Sequence, residues 1–128
     1  MIVLDANVLI ALFDADDAQH VRAETLLLSH DDEQLSLSAL TLAEFLIRPT
    51  AAGVAARAQL FVANMGIIVS PLLGDDATYL ASLRGATGLK MPDAIVLWLA
   101  QSSSAKLMTL DDHLARAAMG LGIDVVVN

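Results

Sequence analysis

Hydrophobic residues recur along the chain in two periods, and segments of the two kinds alternate. Short aliphatic runs, typical of buried strands, lie at 2–4, 35–39, 67–69, 106–110 and 123–127. Between them apolar residues recur at helical spacing, as in the segment VLIALF that follows the first run. Apolar strands that alternate with helices favour a parallel sheet covered on both faces. The pattern therefore predicts an α/β three-layer sandwich with a central, mostly parallel sheet of four to five strands.

Polar residues and prolines predict where several of the helices begin and end. Asp16 and Asp17 are typical N-caps for a second helix, which should end near residue 29. Thr41 is the expected cap of a short helix that Pro49 terminates. An alanine-rich helix is then expected up to about residue 64, as a separate element.

Length and composition narrow the class of protein. With 128 residues, the chain is expected to be a single domain over residues 1–128. It contains no cysteine, which excludes disulfides and thiolate metal sites and is compatible with a cytoplasmic location. The N-terminus does not resemble a signal peptide, and no apolar run approaches the roughly 20 residues of a membrane span, so no membrane association is expected. The hydrophobic share of 56% suggests a subunit interface.

Four carboxylates fall at or near the ends of predicted elements. Asp5 interrupts an apolar segment directly after the first strand, and Asp111 follows the fourth. Glu44 lies within the apolar helix LAEFLI, and Asp93 follows Pro92 in the first turn of the helix AIVLWLAQ. Each alone has a simpler interpretation, as an N-cap, a first-turn acid or a solvated glutamate. Because ligands gather at the carboxyl ends of parallel strands, the four together predict one acidic site.

Acidic side chains that share a site need a counter-charge. Carboxylates about 4 Å apart repel by roughly 4 kcal/mol at an effective dielectric of about 20, so they share protons, separate or bind a cation. The three histidines, His20, His30 and His113, form no HxH or HExxH pattern. An oxygen-only ligand set predicts Mg²⁺ or Mn²⁺ and disfavours zinc. His20 and His113 are expected to be solvated, although His20 with Arg22 would be able to contact a phosphate.

Four short motifs resemble those of the PIN domain family, in the same order along the chain. VLDANVLIALF is similar to the family's opening strand with its first acid, Asp5, and LTLAEFL to the segment that carries the glutamate, here Glu44. MPDAIVLWLA is similar to the segment of the third acid, Asp93, and LMTLDDHLA to the closing T-x-D motif, with Thr109 and Asp111. In size and layout the chain resembles the toxin ribonucleases of VapC-type toxin–antitoxin pairs.

The resemblance implies a Mg²⁺-dependent endoribonuclease, often a homodimer, that a cognate antitoxin protein inhibits. Its catalytic and metal-binding residues would be Asp5, Glu44, Asp93 and Asp111, and the metal would activate a water and neutralise the scissile phosphate of the RNA. Cleavage is expected to leave a 5′-phosphate and a 3′-hydroxyl. The net charge of -8 normally argues against a polyanionic partner, but two divalent ions would offset four of these negative charges.

Neighbouring residues are expected to support the site. Asn7 and Thr109 are predicted to orient it by hydrogen bonding. The T-x-D register favours Asp111 as the metal ligand, with Asp112 as an outer helper or cap. Ala6 departs from the family pattern, which often has a hydroxyl residue there, so one possible hydrogen bond to the site is missing. RNA contacts are expected among five basic side chains: Arg48, Arg57, Arg84, Lys90 and Arg116.

Other function classes fit less well. The sequence contains neither GxxxxGK[ST] nor a GxGxxG after the first strand, which disfavours nucleotide-phosphate loops. A receiver-like signalling domain would want paired acids after the first strand and an acceptor aspartate after the third, where the chain reads VSPLL. A haloacid-dehalogenase-like phosphatase would want DxD where the chain has DAN. A non-catalytic PIN-like module that binds RNA or protein remains the main alternative.

Overall fold

The computed structural model describes residues 1–127, in which one parallel sheet lies between two layers of helices. The strands of this part of the chain are β1 (Ile2–Leu4), β2 (Leu35–Ser38), β3 (Ile68–Ser70) and β4 (Lys106–Met108). The helices are α1 (Ala6–Phe13), α2 (His20–Leu28), α3 (Ala39–Ala51), α4 (Ala55–Asn64), α5 (Ala77–Thr87), α6 (Met91–Ser102) and α7 (Asp112–Gly120). A 3₁₀ turn over Gly74–Asp76 precedes α5. The predicted three-layer α/β class, with a sheet of four strands, is confirmed.

The order of the strands determines where a site can form. The sheet runs β3-β2-β1-β4, and every neighbouring pair is parallel. Strands β1, β2 and β3 lie side by side in chain order, and the chain then crosses back so that β4 lies on the other side of β1. Crevices that bind ligands lie at the carboxyl ends of strands where the order reverses. That point falls between β1 and β4, directly before Asp5 and Thr109.

Alternate residues of the strands supply the cores on the two faces of the sheet. In β1, Ile2 and Leu4 pack in the core beneath α1 to α4, whereas Val3 packs in the core beneath α5 to α7. The period of two in a buried strand explains this division. Helix α6 is buried from Ala94 to Ala100 and contacts β1, β2 and β4, which accounts for its unbroken apolar sequence.

The predicted last strand over 123–127 is wrong, because only Val125 forms an isolated bridge, to Leu107. Leu107 donates its backbone N–H to Asp124 and accepts a hydrogen bond from the N–H of Val126, both at 2.8 Å. Alternate residues of a strand direct their backbone groups to opposite neighbours. In the three-residue β4, the backbone N–H of Lys106 donates to Met1, on the side of β1. Leu107 therefore directs its backbone groups to the other side of β4, toward Asp124 and Val126.

Pro49 does not terminate a short helix, as the sequence pattern predicted, because α3 continues through it to Ala51. A proline near the end of a helix removes one backbone N–H donor. The carbonyls of Pro49 and Thr50 accept hydrogen bonds from the turn that follows α3. The N–H of Val54 donates to the carbonyl of Pro49 at 2.8 Å, and that of Gly53 to Thr50 at 3.1 Å. The ring of Pro49 is buried beside Phe45, which compensates for the lost hydrogen bond.

Two predicted helix caps are also wrong. The cap of α3 is Ser38, whose hydroxyl accepts a hydrogen bond from the N–H of Thr41 at 3.1 Å. Helix α2 begins after Gln19, and Asp17 instead accepts a hydrogen bond from the N–H of Gln19 in the turn before it. Within residues 1–127 no helix is both long enough and apolar enough to cross a membrane.

Candidate active site

Asp5 is the buried centre of an acidic group at the carboxyl edge of the sheet. It follows β1, caps α1 and is 8% exposed. One oxygen, Oδ1, accepts a hydrogen bond from the backbone N–H of Ala6 at 2.8 Å, and Oδ2 accepts one from the hydroxyl of Thr109 at 2.7 Å. The N-cap interpretation of Asp5 is therefore correct, but it accounts for one of its two oxygens.

The Thr109 hydroxyl holds the ends of β1 and β4 together. Besides donating to Asp5, it accepts hydrogen bonds from the Nδ2 of Asn7 at 3.3 Å and from the backbone N–H of Asp111 at 3.1 Å. One donor and two acceptors are the full capacity of a hydroxyl. The Oδ1 of Asn7 accepts a hydrogen bond from the N–H of Leu110 at 3.1 Å, so the Asn7 amide also joins α1 to the segment after β4.

The two consecutive aspartates after β4 have different surroundings. Asp111 caps α7, and its Oδ1 accepts hydrogen bonds from the N–H groups of His113 at 2.9 Å and Leu114 at 3.3 Å. Its negative charge acts on both Asp5 and Asp93. Asp112 is 79% exposed, and its Oδ1 lies 3.7 Å from the Nη2 of Arg22. Asp111 thus belongs to the acidic group, and Asp112 faces a cation at its rim.

Glu44 and Asp93 complete the acidic group from two other helices. Glu44 is half-buried on α3, and Asp93 is half-buried in the first turn of α6. Burial raises the pKa of each carboxyl above its ordinary value, and nearby carboxylates raise both further. For Glu44 those neighbours are Asp5 and Asp93, and for Asp93 the neighbour is Asp111.

The pKa of Asp5 is raised for the same reasons. Burial is the largest cause, and the charges of Asp93 and Asp111 add to it. The hydrogen bonds from Thr109 and Ala6 act in the opposite direction, because they stabilise the ionised carboxylate. The structure therefore brings all four sequence-predicted acids into one electrostatically coupled group.

The donor set of this group fits a hard divalent cation. It offers carboxylate oxygens, and a cation would relieve the repulsion that raises the pKa values. Among residues 1–127, however, no three acidic or histidine side chains stand close enough together to hold one ion. Asp5 is held by two hydrogen bonds, whereas Glu44 and Asp93 are partly exposed. If an ion binds here, the more exposed acids must change rotamer to reach it, whereas Asp5 is held in place by its hydrogen bonds.

Of the five predicted RNA contacts, Lys90 is the one whose charge acts on an acid of the group. It precedes α6 directly, and its positive charge lowers the pKa of Asp93. Arg48 instead lines an apolar cavity of about 180 Å³ together with Phe13 and Phe45. The other three are exposed on separate helices: Arg57 on α4, Arg84 on α5 and Arg116 on α7.

The surroundings of His20 and Arg22 differ from those expected from the sequence. His20 is half-buried, not solvated, and its Nδ1 donates a hydrogen bond to the carbonyl of Ala11 at 2.7 Å. His113 is exposed, as expected, and in its protonated form it lowers the pKa of Asp93. The sequence pairs Arg22 with His20 as a phosphate contact and gives no indication that Arg22 lies near Asp112. No local pattern relates α2 to the segment after β4, so sequence spacing offered no signal for that contact.

Comparison with protein families identifies the fold family of the sequence. The model of the PIN domain matches residues 2–119, which span the acidic group described above. A comparison of the sequence with curated proteins found no match.

Comparison with solved structures finds similar chains in toxin–antitoxin proteins. A toxin–antitoxin complex from Klebsiella pneumoniae contains a chain with a TM-score of 0.74 and 25% identity, with 87% of each chain covered. VapC20 of Mycobacterium tuberculosis, described as a sarcin-ricin loop cleaving toxin, has a TM-score of 0.78 and 17% identity over 91% of this chain and 95% of that one. FitAcB from Neisseria gonorrhoeae has a TM-score of 0.72 and 20% identity over 99% and 97%.

Proposed function

Because the chain belongs to the PIN domain family, we propose that it is a metal-dependent endoribonuclease and the toxin of a toxin–antitoxin pair. The observation that carries the proposal is the group of four carboxylates at the carboxyl edge of the sheet, in which three have raised pKa values. Perturbed carboxylates gathered around one buried member are typical of catalytic sites. The solved structure of VapC20, described as a sarcin-ricin loop cleaving toxin, supports the same reaction class.

The four acids would share the task of holding the metal in this proposal. Asp5, fixed at the end of β1, would hold a Mg²⁺ or Mn²⁺ ion together with Glu44, Asp93 and Asp111. The ion would supply the positive charge that activates a water molecule and neutralises the scissile phosphate. Thr109 orients Asp5 and favours its ionised form by donating a hydrogen bond to its Oδ2. The rim cations, including Lys90, attract the RNA backbone.

The decisive experiment is incubation of the pure protein with total RNA and Mg²⁺, beside an Asp5→Asn variant. The wild-type chain should cut RNA and leave 5′-phosphate and 3′-hydroxyl ends, and the variant should not. Asp31→Asn is a matched control, because it removes one negative charge in the exposed loop before β2. Equal products from wild type and Asp5→Asn, or no cutting with Mg²⁺ or Mn²⁺, would contradict a ribonuclease.

A second candidate function is a PIN-like module that binds RNA or protein without cutting. It is favoured by the spacing of the acids, since within residues 1–127 no three stand ready to hold one ion. RNA binding that persists without any turnover, in the presence of either metal, would support this candidate.

The proposed protein partner is a cognate antitoxin, in line with the toxin–antitoxin complex from Klebsiella pneumoniae. Expression of the chain should arrest growth of a bacterial host, whereas the Asp5→Asn variant should not. Co-expression of the product of an adjacent small gene should restore growth, and that product should co-purify with the chain.

A homodimer in the cytoplasm is also proposed. Exposed apolar residues such as Ile68, which is 50% exposed on the edge strand β3, support a subunit interface. Light scattering of the purified chain tests the dimer.

A further inference from the structure

Helix α2 is attached to the helix that Asp5 caps. The Nδ1 of His20 donates a hydrogen bond of 2.7 Å to the carbonyl of Ala11, in the last turn of α1. The turn between the helices is itself ordered, because Asp14 and Asp17 each accept a hydrogen bond from a backbone N–H two residues on. The direction in which α2 presents its next side chains is therefore determined by α1.

Arg22, two residues after His20, extends from α2 to the segment that carries Asp111. Its Nη1 donates a hydrogen bond of 3.4 Å to the carbonyl of Leu110, and its Nη2 lies 3.7 Å from the Oδ1 of Asp112. Leu110 stands between Thr109 and Asp111, so the guanidinium lies at the rim of the acidic group.

The contact between Arg22 and Asp112 is of a kind that exchanges easily. The two side chains are 43% and 79% exposed, and the separation of 3.7 Å is longer than a hydrogen bond. Exposed ion pairs of this geometry are screened by water and salt. A guanidinium held so loosely remains available to a stronger anion.

An RNA strand that approaches this edge meets four carboxylates and needs cations close beside them. Lys106, by contrast, lies at the amino end of β4, where its Nζ is 3.1 Å from the Oε2 of Glu33. Arg22 reaches the acidic rim itself and carries a planar donor fork that matches a phosphate, which lysine lacks.

We propose that Arg22 binds an RNA phosphate adjacent to the acidic group, and that Asp112 is its resting partner and competes with that phosphate. This inference rests on the proposed ribonuclease function. Asp112 then lowers RNA affinity in the free protein, and the exchange of Asp112 for a phosphate places the backbone of the substrate next to Asp111.

The test measures binding of a fluorescein-labelled 12-nucleotide single-stranded RNA of mixed sequence, with Ca²⁺ in place of Mg²⁺ to suppress cutting. Arg22→Gln should weaken binding about tenfold and reduce the salt dependence by about one phosphate contact, roughly 0.7 in the slope of log K against log salt. The RNA affinity of Arg22→Lys should lie between those of the wild type and Arg22→Gln, because lysine keeps the positive charge but lacks the planar donor fork of the guanidinium. Lys106→Gln, which removes the same charge at the amino edge, is the matched control and should change binding less than twofold.

Asp112→Asn should strengthen binding about threefold, because it releases Arg22 and removes a like charge. Asp31→Asn controls for the change in net charge. In the Arg22→Gln background the gain from Asp112→Asn should shrink to that of Asp31→Asn, since no guanidinium is left to release. Thermal melting of every variant shows that it is folded.

The outcomes separate this inference from the function on which it rests. If the wild type cuts total RNA with Mg²⁺ but Arg22→Gln and Arg22→Lys keep wild-type affinity and salt dependence, the role of Arg22 is overturned and the ribonuclease stands. An Asp112→Asn gain that is undiminished in the Arg22→Gln background overturns the competition. A wild-type chain that neither binds nor cuts RNA overturns both proposals.

Discussion

The hydroxyl of Thr109 lies 2.7 Å from the Oδ2 of Asp5, and this bond joins residues 104 positions apart in the sequence. It connects the carboxyl end of β1 to that of β4 at the point where the order of the strands reverses. The same hydroxyl also accepts hydrogen bonds from Asn7 and Asp111, so one threonine is hydrogen-bonded to three residues of the acidic site.

Replacing Thr109 with the isosteric valine should remove all three hydrogen bonds while leaving the volume unchanged. We expect the free energy of unfolding to fall by about 1–3 kcal/mol, because a buried carboxylate oxygen loses its donor. Mg²⁺ affinity should fall by about 10- to 100-fold, as for other residues that orient a metal ligand. Urea unfolding and Mg²⁺ titration measure the two effects. Thr109→Ser keeps the hydroxyl and should retain most of the stability and of the Mg²⁺ affinity. Equal losses of stability and affinity in the valine and serine variants would refute the hydrogen-bonding role.

Replacing Glu44 with glutamine should separate activity from stability. RNA cleavage should fall by at least about 1,000-fold, the scale on which loss of one member of a catalytic set slows an enzyme. The metal-free protein should be as stable as the wild type or slightly more stable, because the repulsion from Asp5 and Asp93 is relieved. Gel assays of RNA cleavage and denaturation in EDTA test the two halves. A variant that loses its fold would indicate a structural role for Glu44 instead.

The stability of the metal-free protein should depend on pH in a direction set by the raised pKa values. A raised carboxyl pKa means that the folded chain binds the proton more tightly than the unfolded chain does. This contribution is complete below the ordinary values of 3.8 for Asp5 and 4.5 for Glu44, and is lost as the pH rises through the raised folded values. Urea midpoints in EDTA should therefore fall as the pH rises above the ordinary carboxyl values of 3.8 and 4.5.

The Asp5→Asn variant is a control for this pH dependence of stability, and Glu33 contributes a pH dependence of the opposite sign. In Asp5→Asn the fall should be smaller, because the most buried of the three groups no longer titrates. The pKa of Glu33 is lowered, chiefly by the hydrogen bond from Lys106, so its contribution is lost as the pH falls below its ordinary value of 4.5. An Asp5→Asn profile parallel to that of the wild type would show that Asp5 does not cause the effect.

Addition of Mg²⁺ should stabilise the folded chain, because an ion that binds only the folded state shifts the equilibrium by mass action. At about 100 times the dissociation constant the gain is about 2.7 kcal/mol, visible as a rise in melting temperature. Asp5→Asn and Asp93→Asn should lose most of this rise, whereas Asp31→Asn should keep it. A rise of equal size in all four proteins would point to a cation site elsewhere.

Two serines on the same face of β2 should respond to alanine in opposite ways. The Oγ of Ser36 is buried and, among the described residues, has no hydrogen-bond partner, so Ser36→Ala should leave stability unchanged or raise it by about 1 kcal/mol. Ser38 is equally buried but caps α3 through Thr41, so Ser38→Ala should cost about 1 kcal/mol. Thermal and urea unfolding of the pair test this, and a large loss in Ser36→Ala would reveal a contact that the fold does not explain.

The elements that the sequence located best are those whose partners are close along the chain. Strand β1, helix α1 and the start of α6 follow from local period, from Asp5 as a cap and from Pro92 in a first turn. The prediction failed where tertiary packing outweighs a local signal. Pro49 remains inside α3 because its ring is buried beside Phe45, and the apolar segment at 123–127 forms one bridge because β4 offers one outward residue.

The sequence by itself determined the chemistry available to this protein: four carboxylates at the ends of predicted elements, no thiols, and an acidic net charge. Periodicity and residue type suffice for that, because both are local properties. Only the tertiary structure decided that Thr109 donates to Asp5, that Asp111 and not Asp112 joins the acidic group, and that Arg22 stands at its rim. These relationships connect residues up to 104 positions apart, and their geometry depends on the strand order and on how the helices pack against the sheet.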